Sequence, residues 1–587
     1  MHRADNGAMP AAITALPLLR WLRNYRRVDA GADLLAGTVT AVLLVPQAMA
    51  YAVIAGLPPQ VGLYASVLPS LAYALFGTSP YLGVGPVAVN ALMVASALAL
   101  VGHGEPAQQM VNAQVLAAIS ALTLLGLGAL RAGAFMSFLS RPVLDGFTSG
   151  AALLIVLAQL PALLGVSTHS GPLLHEMLLA VWRALPAVNW PTLTLGMISI
   201  GLLALGGRPL RSLLGRLPLS SLKADFAGRL TPLVVLALAT VAVASGNLAT
   251  RGVAAVGVIP AGLPAPSFAF MRASTWLELL APGMLIALIS YVSSVSIAQG
   301  LASRRRERID TDQELFALGA ANAAAAVGGA LPVAASFGRS ALNFSAGART
   351  PLAGVVSALL VGGTALWLTG LFHDLPRAAL AALIVVAVTP LINVHGFRRT
   401  LAYSRGDGLT FGATFVAVLF LGVERGLLLG ALLGLAVYVW RTGRPHVAVL
   451  GRVHGSEHYR NVNRYHVETW PNLLLLRVDE SLYFANASRI EETILDRIAA
   501  SPQVTDLLLI GSGINHVDST GLAMLETLLP ALREAGVCTH LAEFKGPVLD
   551  RLKGSGLLET LAPGQVFLST ERAVTALAQP YDEPVSI

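Results

Sequence analysis

Arg339 is the residue whose type and setting most plainly call for a partner. It stands in Leu331-Pro332-Val333-Ala334-Ala335-Ser336-Phe337-Gly338-Arg339-Ser340, within a long apolar region. An arginine at membrane depth is costly and marks a functional position unless a carboxylate pairs with it, and the neighbouring segments offer few acids. A second stretch, Ser79-Pro80-Tyr81-Leu82-Gly83-Val84-Gly85-Pro86-Val87-Ala88, carries two glycines and two prolines. Such a run cannot continue as regular helix. It predicts extended backbone followed by a helix starting near Val87, and the Arg339 stretch predicts the same arrangement. Two helix starts facing each other, each worth about half a positive charge, make an anion site from backbone N–H groups. Arg339 adds a full charge there. Gln47, in Pro46-Gln47-Ala48-Met49-Ala50-Tyr51-Ala52, either satisfies carbonyls freed by Pro46 or places an amide beside a substrate cavity.

These groups need a membrane fold to hold them. Of the 587 residues, 55% are hydrophobic and 12% charged, with a mean hydropathy of +0.68. Soluble domains carry about 25% charged residues. Fourteen apolar segments appear near 33–54, 60–77, 86–101, 112–130, 143–164, 191–207, 230–247, 277–301, 313–331, 338–346, 352–372, 377–393, 409–423 and 425–440. A straight span needs about 20 residues, so several are too short or too interrupted. Residues 443–587 read instead as a soluble domain. There, 473–478 and 506–510 look like strands, and 487–500 and 522–535 like amphipathic helices.

The charges set an orientation. Arg20, Arg23, Arg26 and Arg27 precede the first segment, which predicts a cytoplasmic start. Arg131, the group Arg208, Arg211, Arg216 and Lys223, the run Arg304, Arg305, Arg306 and Arg308, then Arg398, Arg399 and Arg405, and finally Arg441 and Arg444 each follow an even-numbered segment. Both termini are expected in the cytoplasm. The first twenty residues lack an apolar core with a small-residue cleavage site, which agrees. The net charge of +7 fits basic cytoplasmic loops better than nucleic acid. The single Cys538 excludes an intrachain disulfide and reads as a small core residue.

Gly85-Pro86-Val87-Ala88-Val89-Asn90 also matches Gly338-Arg339-Ser340-Ala341-Leu342-Asn343 at Gly, Ala and Asn, 253 positions apart. Six positions carry little weight alone. The third and tenth segments are, however, counterparts in a 7+7 repeat, where short interrupted segments point to a transporter's binding site.

The ordered signature Pro46 to Ala52, Gly56-Leu57-Pro58-Pro59, Gly62-Leu63-Tyr64, Gly77-Thr78-Ser79 and Gly85-Pro86-Val87-Ala88 resembles the sulfate permease (SulP) family. So do Ser140-Arg141-Pro142-Val143, Gly146-Phe147-Thr148-Ser149-Gly150, Gln313-Glu314-Leu315, Asn322, and Ser336 to Asn343 followed by Gly347-Ala348-Arg349-Thr350-Pro351. Leu482-Tyr483-Phe484-Ala485-Asn486-Ala487, Asp518-Ser519-Thr520-Gly521 and Lys545-Gly546-Pro547-Val548 resemble the STAS domain of sulfate transporters and anti-sigma factor antagonists.

The resemblance implies a polytopic α-helical membrane protein with 14 transmembrane segments in a 7+7 inverted repeat (UraA-like), followed by an α/β STAS domain. The expected domains are a cytoplasmic segment 1–30, a transport domain 31–441, STAS 442–578 and a tail 579–587. It implies a core of spans 1–4 and 8–11 that shifts like an elevator against a gate of spans 5–7 and 12–14, and a homodimer in the inner membrane. The substrate residues it implies are Gln47, Tyr51, Gly85, Val87, Ala88, Ser293, Ser336, Phe337, Gly338, Arg339 and Ser340. Within STAS a hydroxyl of this turn is phosphorylated in the antagonists. Here Thr520, with Ser519 beside it, takes that place, and the alternative is an ordinary helix cap.

Two departures stand out. Relatives often carry a glutamate where Ser293 stands, and a membrane carboxyl is the natural proton carrier; proton coupling there is in doubt. The family's serine before the span-ten arginine is Gly338. No nucleotide fingerprint, zinc spacing or nucleophile elbow is present, so no enzyme, cofactor or metal is expected. Expected partners are a small anion, the bilayer, a second copy and a cytoplasmic STAS-binding protein. Function narrows to secondary transport of a small inorganic oxyanion, sulfate first. The alternatives are bicarbonate, chloride or dicarboxylate exchange, an uncoupled channel, or a membrane signalling module.

Overall fold

The computed structural model describes residues 17–23, 25–102, 105–133, 140–167, 173–206, 221–578 and 585–586. Arg208, Arg211 and Arg216, and all of the predicted tail except 585–586, lie outside them. The chain divides into two compact units, Met1–Gly434 and Leu435–Ile587.

Each of the fourteen predicted segments falls on one helix: α1 (Arg27–Ile54), α2 (Pro59–Phe76), α3 (Ala88–Leu100), α4 (Pro106–Ala129), α5 (Arg141–Leu164), α6 (Trp190–Leu205), α7 (Ser221–Ser245), α8 (Trp276–Arg304), α9 (Thr311–Val327), α10 (Phe337–Ala346), α11 (Leu352–Gly363), α12 (Arg377–Val388), α13 (Arg405–Leu421) and α14 (Val423–Thr442). Among the described residues, seven stretches are long and apolar enough to cross a bilayer alone: those of α1, α4, α5, α8 and α14, and α11 and α12 with their extensions. The helices α3 and α10, of 13 and 10 residues, are half-spans. Two short strands precede them, β1 (Val84–Gly85) and β2 (Ala334–Ala335).

Several boundaries differ from expectation for visible reasons. The helix α4 starts six residues early because its polar first turns satisfy one another. Gln108 donates to Asn112 Oδ1 at 3.2 Å, and Thr275 donates to the same oxygen at 3.0 Å. Pro106 at its first position needs no donor. The helix α9 stops at Val327, where Gly328 and Gly329 turn the chain and Gly329 takes φ +68°.

Packing sorts the helices into two bundles. In one, α9 lies against α4 and α2, α11 against α1 and α2, and α8 against α4; in the other, α13 and α12 pack on α5, and α12 and α7 on α6. The first set draws on segments 1, 2, 4, 8, 9 and 11, and the second on segments 5, 6, 7, 12 and 13.

The second unit is an α/β layer. Strand β3 (Val447–Arg452) pairs antiparallel with β4 (Tyr459–Asn461), β5 (Glu468–Thr469) and β6 (Leu473–Val478). From β6 onward, β7 (Asp506–Ile510), β8 (Cys538–Ala542) and β9 (Val566–Phe567) run parallel. Helices α15 (Ala487–Ala499) and α16 (Ser519–Glu534) supply Ile490, Ile494, Met524, Leu525 and Leu528 to the core on one face. Parallel strands are buried on both faces, which is why Leu473 to Leu476 form an unbroken apolar run.

Candidate functional site

The two broken stretches meet. The strands β1 and β2 form a two-residue antiparallel ladder, with Val84 opposite Ala335 and Gly85 opposite Ala334. Inside a bilayer an extended backbone needs internal partners, and each strand gives them to the other. Three residues past β1 the helix α3 begins, and two past β2 the helix α10 begins. Their caps, Val87 and Ser336, are extended, and neither makes a side-chain cap hydrogen bond. The first amides of both helices therefore lack an internal acceptor.

Arg339 sits in the first turn of α10 and is 2% exposed. Its Nη2 donates to Pro86 O at 3.0 Å and to Gly83 O at 3.4 Å, so it reaches across to the other repeat's lead-in. A Cβ at Gly83 would lie 2.8 Å from the Arg339 Cβ, so only glycine lets this approach happen. Among the described residues the Arg339 Nε and Nη1 have no partner. Among the described residues no carboxylate comes within ion-pair range of it, and the Tyr51 phenol is the titratable group that feels its charge. A buried charge left without its partner costs about 3–5 kcal/mol. The free donors, the uncapped amides and the missing carboxylate together describe a place for an anion from outside the chain.

The other predicted residues divide. Gly85 is buried, Val87 and Ser336 are the two caps, and Ala88 opens α3. Phe337 is 62% exposed, and Gly338 has open space where a side chain would stand. Tyr51 is buried close enough to Arg339 to feel its charge. Gln47 is half-buried and makes no side-chain hydrogen bond among the described residues, so it does not patch the Pro46 turn. Two residues are spent elsewhere. Ser293 Oγ donates to Ile289 O at 2.7 Å and Ser290 O at 3.2 Å within its own helix. Ser340 Oγ accepts from Gly83 N at 3.0 Å and holds the lead-in of α3 in place.

Sequence reasoning missed two things. One is a small cavity beside Arg339, lined also by Thr40, Ser70, Tyr73, Asn343 and Ser357. Ser357 Oγ there is buried without a partner, and hydroxyls in spans carry no pattern that would flag it. The other is Glu314 in α9, fully buried. Its carboxylate accepts from Tyr73 Oη at 2.9 Å, Thr78 N at 2.8 Å, the Thr78 hydroxyl and Ser79 N at 3.2 Å. Gln313 donates to Phe76 O at 2.9 Å beside it. The pair staples the exit of α2 to α9 and so fixes the loop that leads into β1.

In the second unit, Asp518 caps α16: its Oδ1 accepts from Gly521 N at 2.8 Å and its Oδ2 from Phe484 N at 2.9 Å. Ser519 and Thr520 are exposed beside it. The group spaced for a metal among the described residues is Asp506, Cys538 and His540. There, Gln565 N donates to His540 Nδ1 at 3.1 Å and Nε2 meets Asp506 Oδ1 at 3.1 Å. A metal-bound histidine donates from its second nitrogen, which this geometry opposes.

The sequence matches the Sulfate permease family over residues 31–414 and the STAS domain over residues 464–573. The chain belongs to the sulfate permease family. It is 34% identical to a probable sulfate transporter of Mycobacterium tuberculosis over 94% of this chain and 96% of that one. It is 31% identical to the chloroplastic sulfate transporter 4.1 of Arabidopsis thaliana, over 96% and 83% respectively. Its fold matches the murine Solute Carrier 26 member A9 anion transporter in the inward-facing state with a TM-score of 0.86, at 23% identity, covering 97% of this chain and 96% of that one. In this permease the fold is therefore the family's.

Proposed function

We propose that this protein is a secondary transporter of small inorganic oxyanions, sulfate first, and that the anion binds between the starts of α3 and α10. The observation that carries the site is Arg339, buried with free Nε and Nη1 donors between two uncapped helix starts. Sulfate is favoured by the relatives named above. The anion would accept from Arg339 and from the first amides of both half-helices, with Tyr51 and Phe337 at its edges.

The reading includes an inner-membrane location with both termini cytoplasmic, supported by the arginines at the ends of α8 and α14. It includes fourteen spans, transport by residues 31–441, regulation by residues 442–578, and a homodimer. Ser293 favours uncoupled exchange over proton symport, because a hydroxyl spent within its own helix carries no proton. Radiolabelled sulfate uptake into proteoliposomes tests both parts. Arg339→Ala is expected to lower uptake by about 100-fold or more with normal protein yield, since a charge-assisted pair is lost at depth. Wild-type uptake should change less than about twofold with an inward proton gradient. Full uptake by the variant removes Arg339 from the site, and strong proton-driven accumulation places a coupling carboxyl elsewhere.

A further inference from the structure

Asn90 and Asn343, which the sequence matches across the repeats, are not among the anion's partners described so far. Each lies on a half-helix, Asn90 third in α3 and Asn343 seventh in α10, and each is 1% exposed. Asn90 Nδ2 donates to Ser290 Oγ of α8 at 2.8 Å. Thr40 Oγ1 of α1 donates to Asn343 Oδ1, and Asn343 Nδ2 donates to Tyr81 O at 3.4 Å.

The partners are exchanged. The half-helix of the first repeat bonds the opening helix of the second, and the half-helix of the second bonds the opening helix of the first. The two positions are not in the same helical register. The ladder sets the repeats about 250 residues apart, whereas the asparagines are 253 apart, which leaves Asn343 one turn further along its helix. One turn returns to the same face, so both amides still cross to the same kind of neighbour.

We propose that Asn90 and Asn343 are positioning residues for the anion site, two crossed braces that fix the angle at which the helix starts converge. The proposal rests on the anion-site reading above. Hydrogen bonds at a protein surface can be replaced by water, but at this depth nothing else can replace these amides. A half-helix has no second end in the opposite interface to anchor it. Its direction is set by the ladder and the Arg339 and Ser340 bonds at one end, and further along by the asparagine's side-chain bonds to a neighbouring element. If the asparagine's bonds are lost, the free amides no longer point at one spot, although the helix itself persists.

Four variants of the full-length protein test this: Thr40→Val and Ser290→Ala, which remove one end of each brace, and Thr40→Ser and Ser290→Thr, which keep the hydroxyl. Two measurements are made in detergent. The first is hydrogen–deuterium exchange without anion; the second is calorimetric titration with sulfate, chloride and bicarbonate. Thr40→Val should raise exchange at residues 337–343 and Ser290→Ala at residues 88–91. Each should weaken binding of whichever anion the wild type binds by about threefold to twentyfold. The two together should multiply, and the hydroxyl-keeping variants should match wild type. Unchanged exchange at both half-helices overturns the braces. A lowered melting temperature with unchanged anion affinity also overturns the proposal, because it leaves only a structural role. If the wild type binds none of the three anions, the transport reading fails, and the exchange pattern still decides whether the braces exist.

Discussion

Two helix starts in this protein are treated in opposite ways. At α16 the chain provides its own anion: Asp518 accepts from Gly521 N in the first turn and from Phe484 N outside the helix. At α10 the equivalent place holds Ser336, whose hydroxyl accepts nothing from the helix, and the same first turn brings in Arg339 with two idle donors. Both helices have the same dipole and the same orphan amides. A carboxylate from within closes the first to other anions, and its omission keeps the second open. The proposed anion site is, in these terms, a helix start that the chain does not cap for itself.

The comparison can be broken by giving α10 what α16 has. Ser336→Asp places a carboxylate at the cap position, next to Arg339. It should weaken sulfate binding by about 30-fold or more, measured by calorimetry on purified protein, while the melting temperature holds or rises with the new cap. Wild-type affinity in this variant would mean that the start of α10 does not hold the anion.

The reverse change removes the cap that exists. Asp518→Ala should cost roughly 1 kcal/mol, read as faster hydrogen exchange in the first turn of α16, with sulfate affinity unaltered. Desolvation raises the Asp518 pKa, but the N–H groups of Gly521, Phe484 and Thr520 outweigh it and hold the carboxyl below the usual carboxylate range. A depressed pKa stabilises the fold above the unfolded value and loses that contribution as pH falls through the folded one. The difference between wild type and Asp518→Ala should therefore shrink below about pH 4. A constant difference down to about pH 2 would show that the carboxylate's charge is not what caps the helix.

The smallest effect is expected at Gly338. Its surroundings are open, so Gly338→Ser adds a hydroxyl at the start of α10 without strain. Sulfate affinity should change by less than about fivefold, because one partly solvated hydrogen bond contributes about 1 kcal/mol. A larger gain would make the hydroxyl a principal ligand.

Much of this was legible in the residues. Glycine and proline in two apolar stretches marked both half-helices, because neither residue can stay in a regular span. Arg339 stood out because charge is rare at that depth. Glu314 did not, although it is as fully buried, because its four donors come from Tyr73, Thr78 and Ser79, more than 230 positions away. A carboxylate paired with hydroxyls and backbone amides leaves no cation in the sequence to betray it. The pairing of β1 with β2 was also invisible, since two residues show no strand periodicity. In the second unit two strands were clear from apolar runs, whereas β3, β8 and the short edge strands were not.

The ladder between Val84–Gly85 and Ala334–Ala335 also sets a clock. A ribosome adds about 5–20 residues per second, so roughly 10–50 s separate the emergence of the first strand from that of the strand it pairs with. Until then Val84 and Gly85 lack their ladder partners, and Gly83 O and Pro86 O lack the Arg339 guanidinium. Synthesis of the second repeat is thus a step in folding the first, and a chain severed between α7 and α8 has to find its other half before the ladder can form.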